Sequence, residues 1–318
     1  MFDIVIIGQI LWTSLATTSY LALFAVAFAL VLKVNGIFNF TQAAAMSVAF
    51  YTAYSCVQIF KLPGAVAFIA ALVMTLALCW ILEITGFASL RRRKASSLFV
   101  FIFTFIVSQF ASYVITLIFG TWSFTIFPSM FWSVQMIGEL AITAWDIPAM
   151  ASSLAAILAL FAFLRFTRYG QFMLAVSDKP DLAQFYGIDT RKVFLLTMLI
   201  AGALVTLGMF LFGTRSLVQP RTSMELMLFA AVATIVGGIG NLAGAAIAAI
   251  CLGIIQNASI LFISSEWQSF LLYVFLFATI IFFPEGLKLT KKLKFAATST
   301  RQLPPTQIKP QVAAERTE

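Results

Sequence analysis

Histidine is absent from the 318-residue chain, and with it the commonest metal ligand and the side chain best suited to moving protons near neutral pH. Charge is scarce as well: Asp, Glu, Lys and Arg make up 10% of the residues, against about 25% in a soluble domain. The three cysteines, Cys56, Cys79 and Cys251, each lie inside an apolar run, where Cys behaves as a small hydrophobe. They form neither a disulfide framework nor a metal-ligand spacing. No Gly-x-x-x-x-Gly-Lys-Ser/Thr stretch occurs, which excludes the usual backbone cradle for nucleotide phosphates. No carboxylate pair and no nucleophile beside a base stand out. A membrane enzyme is therefore not indicated, and neither cofactor nor metal is expected.

What fills the chain is hydrocarbon, with 62% hydrophobic residues and a mean hydropathy of +1.01. Runs of roughly 20 apolar residues cross a bilayer core of about 30 Å, and they recur at roughly 4–32, 37–60, 63–86, 97–119, 144–166, 193–213, 224–238, 241–263 and 267–283. A transmembrane barrel would show short alternating segments instead. The expected fold is all-α, a polytopic helical membrane protein of eight or nine segments, some short or broken. The run 4–32 is too long for a signal-peptide core and reads as a retained span.

Charge orients these runs. With the N-terminus outside and the C-terminus inside, seventeen of the twenty Lys and Arg residues fall on the inner side and only Lys61, Arg215 and Arg221 outside, as the positive-inside rule requires. The net charge of +8 is thus a topology feature and not a nucleic-acid footprint. Trp122, Trp132, Trp145 and Trp267 fall at outer boundaries as an interfacial belt. The aromatic outer loop 120–144 reads as a lid or partner surface. Glu83 lies near the inner end of its run, where it is placed to pair with the Arg91–Lys94 cluster, and Glu225 lies near an outer end. A central carboxylate, which a proton-coupled carrier would need, is missing.

Two stretches interrupt the spans. One is Lys33-Val-Asn35-Gly36-Ile-Phe-Asn39-Phe-Thr41-Gln42; the other is Ile235-Val-Gly237-Gly238-Ile-Gly240-Asn241-Leu-Ala-Gly244. Broken helices in corresponding halves mark transport pathways. The plainer reading is close packing through small residues, for which Gly240, Gly244 and Ala248 have the spacing.

The polar stretch 165–192 carries five of the twenty basic residues together with Asp178, Asp181 and Asp189. Pro180 suits a first helical turn, with Lys179 or Asp178 as cap. Asp181 complements the helix dipole, and Gly187 suits the C-terminal cap. Leu182, Ala183, Phe185 and Tyr186 would form its apolar face. A helix of about two turns is not stable alone in water, so it must dock on something.

These residues resemble a known family, the bacterial ABC-transporter permeases of the branched-chain amino acid (high-affinity LIV-type) branch. Arg168-Tyr-Gly170, Lys179-Pro180-Asp181-Leu-Ala183 and Gly187-Ile188-Asp189 are similar to its cytoplasmic coupling loop. Asn35 to Gln42, Val236 to Ala245 and Pro284-Glu-Gly286-Leu are similar to three further blocks, in the family's order. The chain departs from the pattern with Gln42-Ala43-Ala44 for His-Gly-Glu, and with Leu174 and Phe283 at positions where the family has Arg. The composition changes sharply beyond Leu287, so a permease domain over 1–287 is expected to be followed by a basic, largely disordered cytoplasmic tail over 288–318 that can lie against membrane lipid. The resemblance implies a non-catalytic subunit in a bacterial inner membrane, working with a second permease, two ATPase subunits and an external solute-binding protein. Coupling would fall to Arg168, Gly170, Asp178, Lys179, Pro180, Asp181, Ala183 and Gly187. The solute would pass Asn35, Gly36, Asn39, Thr41, Gln42, Gly237, Gly238, Gly240 and Asn241. Branched-chain amino acids are the favoured solutes, then urea or short amides; a carrier or channel working without an ATPase is the alternative class. Asp181→Lys with Ala183→Glu is expected to uncouple transport without disturbing the fold.

Overall fold

The computed structural model describes residues 4–128, 134–137 and 140–259, together with positions 270, 274, 277, 278 and 281. The expected ninth run and the tail therefore lie outside the continuously described residues, as do Trp132 and Trp267. The described chain is helical, in the order α1 (Ile4–Asn35), α2 (Thr41–Tyr54), α3 (Gly64–Ile81), α4 (Ala88–Arg92), α5 (Ser97–Phe119), α6 (Asp146–Phe166), α7 (Arg168–Asp178), α8 (Pro180–Phe185), α9 (Thr190–Arg215), α10 (Thr222–Gly237) and α11 (Leu242–Ala258). π-helical turns at Ser55–Ile59 and Leu82–Phe87 extend α2 and α3. A hairpin of β1 (Val134–Ile137) and β2 (Leu140–Thr143), with Val134 opposite Thr143, and an isolated bridge between Phe124 and Val218 are the β structure among the described residues. Helix is what such a sequence must adopt in lipid, where each backbone N–H and C=O has to be satisfied within its own segment.

Among the described residues, five helical stretches are long and apolar enough to cross a membrane: Gly8–Asn35, Gly64–Arg92, Ser97–Phe119, Asp146–Phe166 and Thr190–Arg215. The pair α10–α11 would make a sixth, but its axis bends by 118° at the break. The two runs expected as separate crossings are thus one sharply folded unit, because positive φ at Gly238 and Gly240 turns the chain between them.

The bundle is built around α1. Every side chain from Ala22 to Val31 is fully enclosed, as befits a helix that is apolar on all sides. Helices α6, α9, α10 and α11 pack on it. Close approach is set by glycines of the surrounding helices: Gly208 lies on the Phe24 ring and Gly253 on Thr18. By contrast α3, α5 and α6 keep most of their apolar surface outward.

Contacts along the helices define two ends. At one end Phe119, Phe124, Tyr51 and Tyr54 form an aromatic cluster, Phe124 bridges to Val218, and Asp146 meets Arg215. At the other, Arg91 and Arg92 lie beside Arg191 and Lys192, and α7 and α8 cover the start of α9. The Arg91–Lys94 cluster and the stretch 165–192, far apart in sequence, therefore share one end of the molecule.

Candidate functional site

The stretch 165–192 is more helical than its polarity suggests. Its first half forms α7, eleven residues capped by Thr167, whose hydroxyl accepts from the Gly170 N–H at 3.0 Å. Gly170 is required for the turn from α6: a Cβ there would stand 2.6 Å from the Leu164 Cα and overlap the Phe163 carbonyl. Met173 and Val176, at an i, i+3 spacing, are fully buried and hold α7 against the bundle, where it touches both α1 and α9. Arg168 sits in the first turn of α7 and points outward, and Asp178 closes the helix.

Lys179 then breaks the chain with extended backbone, and Pro180 begins α8. The cap at Lys179 is made by geometry alone, with no side-chain hydrogen bond. After Phe185 the chain closes with a Gly187 N–H bond to the Gln184 carbonyl and an Ile188 N–H bond to the Ala183 carbonyl. Gly187 sits at φ +83°, the left-handed conformation that favours glycine at a helix end. The expected apolar face is corrected by the structure. Ala183 alone turns inward, at 5% exposure, whereas Phe185 and Tyr186 stand 87% and 86% exposed and Leu182 is half exposed. Asp181 is exposed on the first turn. An Ala183→Glu substitution would therefore drive a carboxylate into the packed side of α8, so it does not probe the outer face.

The two breaks converge on the C-terminal half of α1. At the first, Gly36 turns at φ +68° and is exposed, whereas Asn39 is fully buried. Its Oδ1 accepts from the Thr41 N–H at 3.0 Å and the Thr41 hydroxyl at 2.5 Å, and its Nδ2 approaches Met198 Sδ at 3.2 Å. Gln42 donates to the Ala27 carbonyl of α1 at 3.2 Å. Its Oε1, and both amide atoms of Asn35, are buried without a protein partner. At the second break Thr234, one turn before Gly237, donates to the Ala25 carbonyl at 3.1 Å. Gly237 and Gly244 lie backbone against backbone, so that a Cβ on either would overlap the other. The close pair is thus Gly237–Gly244 and not the Gly240–Gly244 spacing, for Gly240 has open space around it. Asn241 caps α11 by accepting from the Gly244 N–H at 3.1 Å.

A family model described as the branched-chain amino acid transport system / permease component matches residues 10–280. The chain belongs to this family. It is 24% identical over 293 residues to the high-affinity branched-chain amino acid transport system permease protein LivH of Escherichia coli K12, covering 88% of this chain and 94% of that one. The same figures hold for LivH of Salmonella typhimurium. Among solved structures, PsaBC from Streptococcus pneumoniae in complex with Fab superposes with a TM-score of 0.50 over 86% of this chain and 91% of that one. Its sequence identity is 15%, so the likeness is one of fold.

Two charge clusters complete the permease. Glu83, buried to 3% exposure, pairs with Arg91, the pairing expected from their sequence proximity. Asp146, at 1% exposure, pairs with Arg215 and was not singled out by the sequence. Its Oδ2 also accepts from Trp12 Nε1 at 3.2 Å and from the Thr143 N–H at 3.3 Å. Nearby, Gln9 clasps the hairpin with both amide groups, donating to the Ala141 carbonyl and accepting from its N–H, each at 2.9 Å. The outer loop expected as a lid or partner surface is thus pinned to α1 and α9. A usable sequence signal existed: Asp146 opens one apolar run and Arg215 closes another on the same predicted side.

Proposed function

We propose that this permease is the membrane subunit of an ATP-driven importer of branched-chain amino acids. It would sit in a bacterial inner membrane, pair with a second permease and receive solute from an external binding protein. ATP would be hydrolysed on two partner subunits. Family membership supports the permease role, and the LivH relatives support the solute class. The observation that carries the coupling reading is the tip of α8. Two large aromatic side chains stand almost wholly in the open beyond a buried Ala183, on a helix fixed at both ends by Pro180 and Gly187. A surface of that kind gains from seating in a cleft of a partner, where desolvated aromatic anchors supply most of the binding energy.

The route for force follows from packing. A push on α8 reaches α7, whose Met173 and Val176 are locked into the bundle against α1 and α9. Helix α1 runs on to Asn35 and the first break, and its middle holds the second break through Ala25 and Thr234. Closure of the ATPase pair would shift α7 against α1 and change the seating of both breaks. In this conformation Asn39 and Thr41 are tied to each other, while Asn35 and Gln42 keep unpaired polar atoms for the rearranged state.

Reconstitution in proteoliposomes with the ATPase subunits and binding protein tests the reading. Labelled leucine should enter only with ATP. Phe185→Glu with Tyr186→Glu, both on the exposed face, should lower uptake at least tenfold with unchanged membrane insertion and melting temperature. Uptake by the permease alone, without ATPase, would overturn the proposal in favour of a carrier.

A further inference from the structure

Between the end of α3, α4 and the start of α9 lies a cavity of about 410 Å³. Four cations line it, Arg91, Arg92, Arg191 and Lys192, with Glu83 as the acid in the lining and Asp189 beside it, paired to Lys192 at 3.4 Å. Glu83 satisfies Arg91 through Oε1, and the guanidinium also lies over the Phe194 ring at 4.6 Å. Arg91 is thereby fixed in place. Glu83 is among the lining residues, and its second carboxylate oxygen, Oε2, is buried with no hydrogen-bond partner. A buried unpaired carboxylate oxygen is costly and calls for a donor. Of the remaining walls, Ile84, Ala88, Phe194 and Leu195 are apolar and Thr190 is polar. The apolar walls continue into an exposed apolar strip on α3 and its extension, where Trp80, Ile81 and Ile84 are each about half exposed.

A ligand that fits all three features needs a negative group for the cations, a hydrogen-bond donor for Glu83 and an apolar tail for the strip. We infer that this cavity is a phospholipid site, which takes a headgroup phosphate between Arg92 and Arg191 and a headgroup ammonium or hydroxyl on Glu83 Oε2. Basic pockets between spans at the membrane surface bind lipid headgroups on the same principle. The apolar strip favours a lipid over a soluble anion, since inorganic phosphate would leave both the strip and Glu83 unused. The site spans α3–α4 and the head of α9, so an occupied site ties the end of the coupling crossover to α3 and α4.

The inference is tested on the full chain by native mass spectrometry in detergent, independently of transport. Phosphatidylethanolamine or phosphatidylglycerol, offered at equal concentration, should remain bound at least fivefold more than phosphatidylcholine, which has the phosphate but no headgroup donor. Arg92→Gln with Arg191→Gln should lose most of the retained lipid, whereas Lys61→Gln with Arg221→Gln, which removes the same charge from the opposite end, should not. Glu83→Gln should erase the preference over phosphatidylcholine while leaving total retention largely intact. Equal retention of the three lipids, an unaffected Arg92/Arg191 variant, or displacement of lipid by inorganic phosphate alone would each overturn it.

Discussion

Asp146 holds four separate pieces of chain together: it bonds Arg215 on α9, Trp12 on α1 and the end of the hairpin while opening α6. Removing one partner of a buried pair leaves an uncompensated charge, at a cost of about 3–5 kcal/mol. Asp146→Ala should accordingly lower the melting temperature steeply. Asp146→Ala with Arg215→Met should recover much of the loss, since apolar replacements of a buried pair are often neutral. A double-mutant cycle by thermal unfolding in detergent measures this, and strictly additive losses would show that the pair is not coupled. The contrast with Glu83 explains what the sequence could reveal. Glu83 and Arg91 are eight positions apart on one continuous helix, so a local reading joins them. Asp146 and Arg215 are 69 apart on different helices, and only packing brings them together. The Asn39–Thr41 pair was visible as a polar cluster, but its full burial against Met198 was not, because that depends on α9.

Helix α8 was legible because Pro and Gly punctuate it, and backbone chemistry at those residues is local. Helix α7 was not, since its two anchoring residues, Met173 and Val176, are sparse among polar neighbours and their burial depends on α1 and α9. The crossover ends at Asp189, whose side chain caps α9 by accepting from the Arg191 N–H at 3.1 Å and the Lys192 N–H at 3.4 Å. Desolvation raises its pKa, but the Lys192 amide and ammonium and the Arg191 N–H outweigh this and hold the carboxyl below its ordinary value. For a carboxylate lowered on folding, the stabilisation is complete above the unfolded pKa of about 3.9 and disappears as pH falls through the lowered one. Protection of the Arg191 and Lys192 amides against exchange, relative to the intrinsic rate at each pH, should therefore hold through neutral pH and fall only below about pH 4. In Asp189→Asn the same amides should show no such acid step. A step that persisted in the variant would assign it to another group.

At the scale of the whole molecule, helical class and boundaries were readable from hydropathy, whereas the centrality of α1 and the folding back of α10–α11 were not. The first is set by which helix the others surround. The second depends on two residues of positive φ in a stretch that hydropathy alone reads as two crossings. Folding back does not upset the charge asymmetry. Helix α10 begins just after Arg215, at the Asp146 end, and α11 comes back toward that half, where Asn257 bonds the Thr17 hydroxyl at 3.0 Å and Gly253 meets Thr18. The expected run 267–283 lies outside the continuously described residues; a crossing there would bring the chain to the basic end, the same side that nine simple crossings would give. In a background with Cys56, Cys79 and Cys251 replaced, Tyr186→Cys and Arg301→Cys should react with a membrane-impermeant maleimide only from the cytoplasmic face, and Trp122→Cys only from the outside. Labelling of Tyr186→Cys and Trp122→Cys from one face would break the assignment of the two ends. Labelling of Arg301→Cys with Trp122→Cys would instead place an even number of crossings in the chain and remove the tail from the basic side.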